Sequence, residues 1–184
     1  MILVEQLQKA GVNAVGLSGV DGRLLCAKRN EAIKIVENGK RLVIRDDFTG
    51  KIDQVNAGLL HTLLAAGLTP VIQPLAISEA GDALNVDADR AAAMVAGALK
   101  AQQLILLTNV PGLLRNFPDE STLIPHIDRH AVDGALELAE GRMKKKVLGA
   151  IEALELGVEK IIFADGRTEH PLLAALAGHG TTIS

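Results

Sequence analysis

The stretch Gly81-Asp82-Ala83-Leu84-Asn85-Val86-Asp87-Ala88-Asp89-Arg90-Ala91-Ala92 decides how the chain is read. Asn85, Asp87 and Asp89 recur at every second position, directly ahead of an Ala-rich helical run that reaches about Lys100. A short acidic residue before such a run is a helix N-cap signal. The first helical turn also offers unpaired N–H groups and the positive end of a dipole, which suits an anion. Capping accounts for one of the three side chains. Polar groups at alternate positions of an extended segment share one face, so the trio also reads as the edge of a site. Calcium fits poorly. An EF-hand loop begun by Asn85-x-Asp87-x-Asp89 requires Gly where Arg90 stands and a bidentate Glu where Ala96 stands.

Downstream of that helix, Leu104-Ile105-Leu106-Leu107-Thr108 is an uninterrupted apolar run of the kind found in central parallel strands. It ends in Thr108-Asn109-Val110-Pro111-Gly112-Leu113-Leu114. In open α/β sheets, loops at the carboxyl ends of strands form the ligand crevice. Residues 128–139 predict a helix, and Arg142-Met143-Lys144-Lys145-Lys146 opens another that runs to Gly157. A basic cluster at a helix start opposes the dipole, so an anionic counterpart is expected. Ile161-Ile162-Phe163-Ala164 reads as a strand, Asp165-Gly166-Arg167 as a turn, residues 171–177 as a helix and Thr181-Thr182-Ile183 as a last strand.

Upstream, residues 68–77 predict one strand carrying Pro70 and Pro74. Residues 53–66 predict an amphipathic helix with Val55, Leu59, Leu60, Leu63 and Leu64 on one face. Asn38-Gly39 between residues 33–37 and 41–45 is a hairpin signal. Lys34, Lys40, Arg41 and Arg45 make that hairpin either a solvated face or a docking surface for an acidic partner. Residues 13–17 form a short strand and residues 2–10 a helix stopped by Gly11. The loop Ser18-Gly19-Val20-Asp21-Gly22 is a turn or a substrate-facing loop; its glycines miss the dinucleotide fingerprint. Strands and helices alternate, which predicts an α/β fold with a mainly parallel open sheet covered by helices on both faces.

Composition narrows the function classes. The 184 residues are 48% hydrophobic with a net charge of -3, enough for one substantial core and too little positive charge for general nucleic-acid binding. Aromatic residues are 2%, which leaves no stacking platform for bases. A lone Cys26, in an apolar run, excludes an internal disulfide and points to core packing in a reducing compartment. No apolar run is long enough to span a bilayer and no signal peptide opens the chain, so a cytoplasmic protein without membrane contact is expected. Walker A, protein-kinase and G-x-S-x-G motifs are missing, and no Cys/His spacing suits a metal. From residues alone the reading stops at an α/β protein that binds an anionic ligand.

Six segments, in order, resemble the amino-acid kinase family, in particular its N-acetylglutamate kinase branch. They are Gly16–Gly22, Pro70-Val71-Ile72, Leu84–Ala92, Leu107–Leu114, Gly141–Lys146 and Asp165-Gly166-Arg167 with His170-Pro171-Leu172-Leu173. Asn109 and the continuation Arg115-Asn116-Phe117-Pro118-Asp119-Glu120 resemble the variant that phosphorylates 2-aminoadipate or glutamate carried on a small acidic amino-group carrier protein. The resemblance implies a three-layer αβα sandwich. Residues 1–80 would be the remainder of an acceptor-binding lobe, including the hairpin at 33–45, and residues 81–184 a nucleotide-binding lobe of one continuous domain.

It also implies ATP-dependent phosphorylation of a side-chain carboxylate in lysine or arginine biosynthesis, with Mg2+ held mainly by the phosphates and no protein metal site. Lys146 would neutralise charge on the transferring phosphoryl group and Asp89 would orient catalytic lysines. Asn85 and Asp87 would meet the acceptor. Asn109, Val110, Pro111, Gly112, Leu113, Leu114, Leu138, Ala139 and Glu140 would cradle ATP. A homodimer is expected. Met1 falls inside the family's mid-lobe helix, so the chain is expected to be N-terminally incomplete, without the family's Lys-x-Gly-Gly strand, and weakly active alone. A uridylate kinase or glutamate 5-kinase relative, and a non-catalytic nucleotide-binding module, are the competing expectations.

Overall fold

A computed structural model of the chain describes residues 2–30, 33–37, 40–44, 48–139 and 141–184. The chain divides into two compact units, Met1–Ala91 and Ala92–Ser184.

The first unit contains α1 (Ile2–Lys9), β1 (Ala14–Ser18), β2 (Leu25–Arg29), β3 (Ile33–Glu37), β4 (Lys40–Ile44), β5 (Gly50–Val55), α2 (Ala57–Ala65), β6 (Thr69–Gln73), β7 (Leu75–Ile77) and β8 (Ala83–Asn85). β1 and β6 pair in parallel. β5, β2, β7 and β8 form a second sheet in that order. β3 and β4 form the expected antiparallel hairpin, from Ile33 opposite Ile44 to Glu37 opposite Lys40. Its turn, Asn38-Gly39, and Arg45 lie outside the described residues.

Two expectations change here, and two further segments take definite form. Residues 53–55 are the end of β5 rather than the first turn of a helix, and α2 starts at Ala57. The cap is Asn56: its Oδ1 accepts from the Leu59 amide at 3.2 Å and its Nδ2 donates to the Gly22 carbonyl at 3.0 Å. Asp53 instead faces Lys28 of the neighbouring strand at 3.6 Å. The apolar run around Cys26 is β2, with Leu25 and Ala27 buried and Cys26 between them half-buried. Residues 68–77 are two strands in two different sheets, separated at Pro74. The loop at 18–22 is a turn built for close packing. The Leu75 carbonyl occupies the place a Cβ on Gly19 would take, and the Leu25 amide donates to the Gly19 carbonyl at 2.7 Å.

Helix α3 (Ala88–Ala98) leads into the second unit, with β9 (Gln103–Thr108), β10 (His126–Ile127), α4 (Val132–Leu138), α5 (Gly141–Glu155), β11 (Lys160–Asp165), α6 (Pro171–Leu176) and β12 (Thr181–Ile183). The sheet order is β10-β12-β11-β9. β9 and β11 run parallel over six residue pairs, from Gln103 opposite Lys160 to Thr108 opposite Asp165. Alternation along β11 explains the layering. Ile161 and Phe163 point into a cluster with Val147, Ala150 and Ala153 of α5, whereas Ile162 and Ala164 meet Ala175 of α6 on the other face. A strand covered on both faces needs this continuous apolar run. β9 carries a similar run, yet among the described residues it ends the strand order rather than occupying the centre, and its Leu107 is exposed. The helix expected at 128–139 begins as a 3-10 turn, Arg129–Ala131, before α4.

Candidate functional site

The segment following β8 is shaped by alternation and by one cap. Leu84 and Val86 are buried, so Asn85 and Asp87 face outward together. The Asn85 amide donates to the Phe48 carbonyl at 2.7 Å, which fixes its backbone against the segment leading into β5. Asp87 Oδ1 accepts from the Arg90 amide at 3.1 Å, the bond expected of an N-cap ahead of α3. Asp89 departs from the shared extended face. It sits in the first turn of α3 and is half-buried, because the cap at Asp87 has already turned the chain into a helix.

The loop after β9 is held at both of its ends. Thr108 Oγ1 donates to the Val110 carbonyl at 2.7 Å and accepts from the Val110 amide at 3.0 Å, closing a side-chain turn as the strand ends. Farther on, the Leu113 amide donates to Thr181 Oγ1 at 2.8 Å, and the same hydroxyl donates to the Ile124 carbonyl at 2.6 Å. A Cβ on Gly112 would lie 2.5 Å from Thr181 Oγ1 and 2.9 Å from the Thr181 amide nitrogen, so only glycine fits there. Gly112, Leu113 and Leu114 are buried, Val110 and Pro111 are half-buried, and Asn109 is exposed. Of this stretch, Asn109 to Pro111 offer side chains to a ligand, while Leu113 and Leu114 anchor the loop in the core.

The continuation is tied down at the surface. The Arg115 amide donates to the Thr122 carbonyl, and Leu114 bridges Leu123. Asp119 caps the following turn by accepting from Ser121, whose hydroxyl holds its carboxyl below the ordinary carboxylate range. Arg167 Nε and Nη2 donate to the two oxygens of Asp165 at 2.8 and 2.6 Å, and Nη2 also donates to Glu120 at 2.9 Å. The hydrogen bond from Arg167 lowers the Asp165 pKa, and Asp165, then Glu120, push that of Arg167 up.

Lys146 lies one turn inside α5 rather than at its very start. It is half-buried beside the fully buried Val147, while Lys144 and Lys145 are exposed. Ala139, which follows α4, is buried at 5% exposure; Leu138 is the last residue of α4, and Glu140 lies outside the described residues. Among the described residues no group of three or more His, Cys, Asp or Glu side chains could hold a metal ion, and no helix is long and apolar enough to cross a membrane.

These two segments and the half-buried lysine meet a decisive comparison: the description of the amino acid kinase family matches residues 1–165. The chain belongs to that family. It is 55% identical over 182 residues to the LysW-aminoadipate kinase of Deinococcus radiodurans, covering 99% of this chain and 62% of that protein. It is 49% identical over 183 residues to the LysW-aminoadipate kinase of Thermus thermophilus, covering 98% of this chain and 68% of that protein. The chain thus spans less than two thirds of the length of its Deinococcus relative. Among solved structures, N-acetylglutamate synthase from Neisseria gonorrhoeae, complexed with coenzyme A and N-acetyl-glutamate, superposes with a TM-score of 0.79 at 28% identity, over 98% of this chain and 39% of that one. Carbamate kinase from Giardia lamblia bound to AMP-PNP shares the fold at a TM-score of 0.67 and 19% identity, over 98% of this chain and 68% of that one. The amino-acid kinase fold, with mixed sheets and flanking helices, is therefore the fold of this chain.

Two features of the amino-acid kinase loop escape sequence reasoning. Thr181 sits in a short strand that reads only as a strand, and its partners are 68 and 57 positions away. The Arg167–Glu120 contact spans 47 positions. Only the Asp165-Gly166-Arg167 spacing carries a signal, and it signals a turn.

Proposed function

We propose that this chain carries an ATP-dependent kinase that phosphorylates the side-chain carboxylate of an N-blocked amino dicarboxylic acid, 2-aminoadipate or glutamate linked to an acidic carrier protein. The observation that carries the reading is its high identity, along nearly its whole length, to two proteins named as LysW-aminoadipate kinases. In this reading residues 1–80 are the remainder of the acceptor lobe and residues 81–184 the nucleotide lobe, with the acceptor-facing Asn85 near the start of the latter. The same reading includes a homodimer in the cytoplasm.

The chemistry suits the residues. A carboxylate acceptor is already an anion, so the reaction needs no general base. It needs two anions brought together and the developing charge offset. Lys146, half-buried on α5, is the cation we assign to the transferring phosphoryl oxygens. An ammonium group in such a site contributes about 4 kcal/mol, roughly a thousandfold in rate. Asn109, Val110 and Pro111 meet the nucleotide, with Gly112, Leu113 and Leu114 holding the loop from beneath. Leu138, Ala139 and Glu140 border the nucleotide. Asn85 and Asp87 meet the acceptor, and Asp89 orients catalytic lysines. Mg2+ enters as an ion carried mainly by the ATP phosphates.

The test is ADP release by the 184-residue chain with Mg·ATP against a panel of acceptors: carrier-linked aminoadipate, carrier-linked glutamate, N-acetylglutamate, free glutamate and uridylate. Turnover with a carrier-linked acceptor, lost about a thousandfold in Lys146→Ala while calorimetry shows ATP still bound, supports the assignment. Turnover confined to uridylate or free glutamate replaces it with the corresponding kinase. ATP binding without any turnover leaves a nucleotide-binding module.

A further inference from the structure

We infer that Thr181, in the last strand of the chain, is a positioning residue for nucleotide: its hydroxyl, opposite that of Thr108, clamps the loop 109–112 in the shape that meets ATP. The inference rests on the nucleotide role proposed above for that loop.

The geometry is specific. Thr181 is completely buried, and its one hydroxyl both accepts from the Leu113 amide and donates to the Ile124 carbonyl, at 2.8 and 2.6 Å. It therefore joins the two arms of the excursion that leaves β9 and returns toward β10. These arms also bond each other, the Ile124 amide donating to the Leu113 carbonyl at 2.9 Å. Thr181 is itself fixed from behind. It pairs with Phe163 of β11, and Gly180 before it adopts a φ of +121°, where an added Cβ would run into the Phe163 carbonyl oxygen. At the other end of the loop, the 8% exposed Thr108 holds both main-chain groups of Val110. Four residues, 109–112, thus run between two threonine clamps, and among them lie the side chains left facing outward.

The clamp matters because of what its loss would leave. Removing the Thr181 hydroxyl without changing the side chain's volume strands an amide and a carbonyl in a dry core. The loop must then move until those groups find water or another partner. A loop held in its bound conformation gives affinity because it needs no ordering when ligand arrives. Loss of the clamp should appear in nucleotide binding and leave the chemical step nearly untouched.

The experiment compares Thr181→Val, Thr181→Ser and Thr108→Val with the parent chain. Calorimetry with ATP gives the affinity, amide hydrogen exchange follows Leu113 and Val110, and KM for ATP is separated from kcat where turnover is measurable. In the valine variant at 181, protection of the Leu113 amide should be lost and ATP affinity should fall about tenfold, with kcat at saturating ATP within about twofold of the parent. The serine variant keeps the hydroxyl and should stay within about threefold in affinity. Thr108→Val tests the opposite clamp without touching the core of β12, and should lower affinity in the same direction. Wild-type affinity in both valine variants overturns the inference, as does an equal loss in valine and serine, which would mark packing rather than the hydroxyl as the cause. A parent that binds no ATP, while Leu113 still loses protection in Thr181→Val, sinks the kinase reading and supports the hydroxyl's hold on the loop.

Discussion

The segment at 84–90 and the loop at 108–124 both carry the chain out of a strand toward residues assigned to substrates, but they are held by opposite means. In the first, the holding group is a neighbour in sequence: Asp87 caps α3 by reaching Arg90, three residues on. Asn85 and Asp87 stay outside while the apolar Leu84 and Val86 go in. In the second, the holding group arrives from the other end of the unit. Thr181 enters the core to bond Leu113, and the loop buries Gly112, Leu113 and Leu114 to meet it. Local bonding leaves a segment that tolerates substitution, because each group has water as an alternative partner. Remote bonding in a dry interior offers no such alternative.

The sharpest way to break this contrast is to place the same methyl group in both regions. Gly112→Ala drives a Cβ to 2.5 Å from Thr181 Oγ1, and overpacking of that kind costs about 2 kcal/mol, visible as a fall of roughly 5 °C in the thermal midpoint. Gly81→Ala, ahead of β8, meets no atom within 4 Å, so only its φ of +92° opposes the change, at about 1 kcal/mol. Equal losses would mean that the loop is no more tightly built than the segment. The cap comes next: Asp87→Ala should cost about 1 kcal/mol by urea denaturation, and Asp87→Asn much less. Asn85→Ala, exposed and without a part in the cap, should move stability by less than about 0.5 kcal/mol. On the proposed function it raises the KM for the acceptor and leaves that for ATP unchanged. A stability loss as large as that of Asp87→Ala would show that the two outward side chains are structural alike.

The smallest effect is electrostatic. Asp119 and Asp165 are both held below their ordinary value of 3.8, by Ser121 and by Arg167. Groups with lowered folded-state values stabilise fully above the ordinary value, and that stabilisation is lost as pH falls through the lowered one. Acid titration below 3.8 should therefore loosen residues 116–122 at the surface while Leu113 keeps its protection. Early loss at Leu113 would show that the exposed ties and the buried clamp are one unit.

The same division explains what could be read before the structure. Helix starts and apolar strands follow from neighbours in the chain, so α3, the run along β11 and the hairpin strands β3 and β4 were legible. α2 was misplaced because Val55 suits the apolar face of a helix as well as the end of a strand, and the cap that starts the helix, Asn56, is tied to Gly22, 34 positions away. The trio Asn85, Asp87 and Asp89 was legible as polar and alternating, yet the cap that ends the alternation removes Asp89 from the shared face. Thr181 could not be singled out, since Thr-Thr-Ile at a chain's end states only that a strand is favoured. Its partners are two main-chain groups, and main chain has no letter in a sequence.

That last property reaches beyond this molecule. Because Thr181 grips the peptide groups of Leu113 and Ile124, the amino acids between those two residues are free to change as long as the backbone keeps its course. A library randomising positions 115–122 should yield many folded members, and the survivors should share a hydroxyl at 181 more faithfully than any residue within the randomised stretch. Diversity in the span and constancy in its fastening are two faces of one bond.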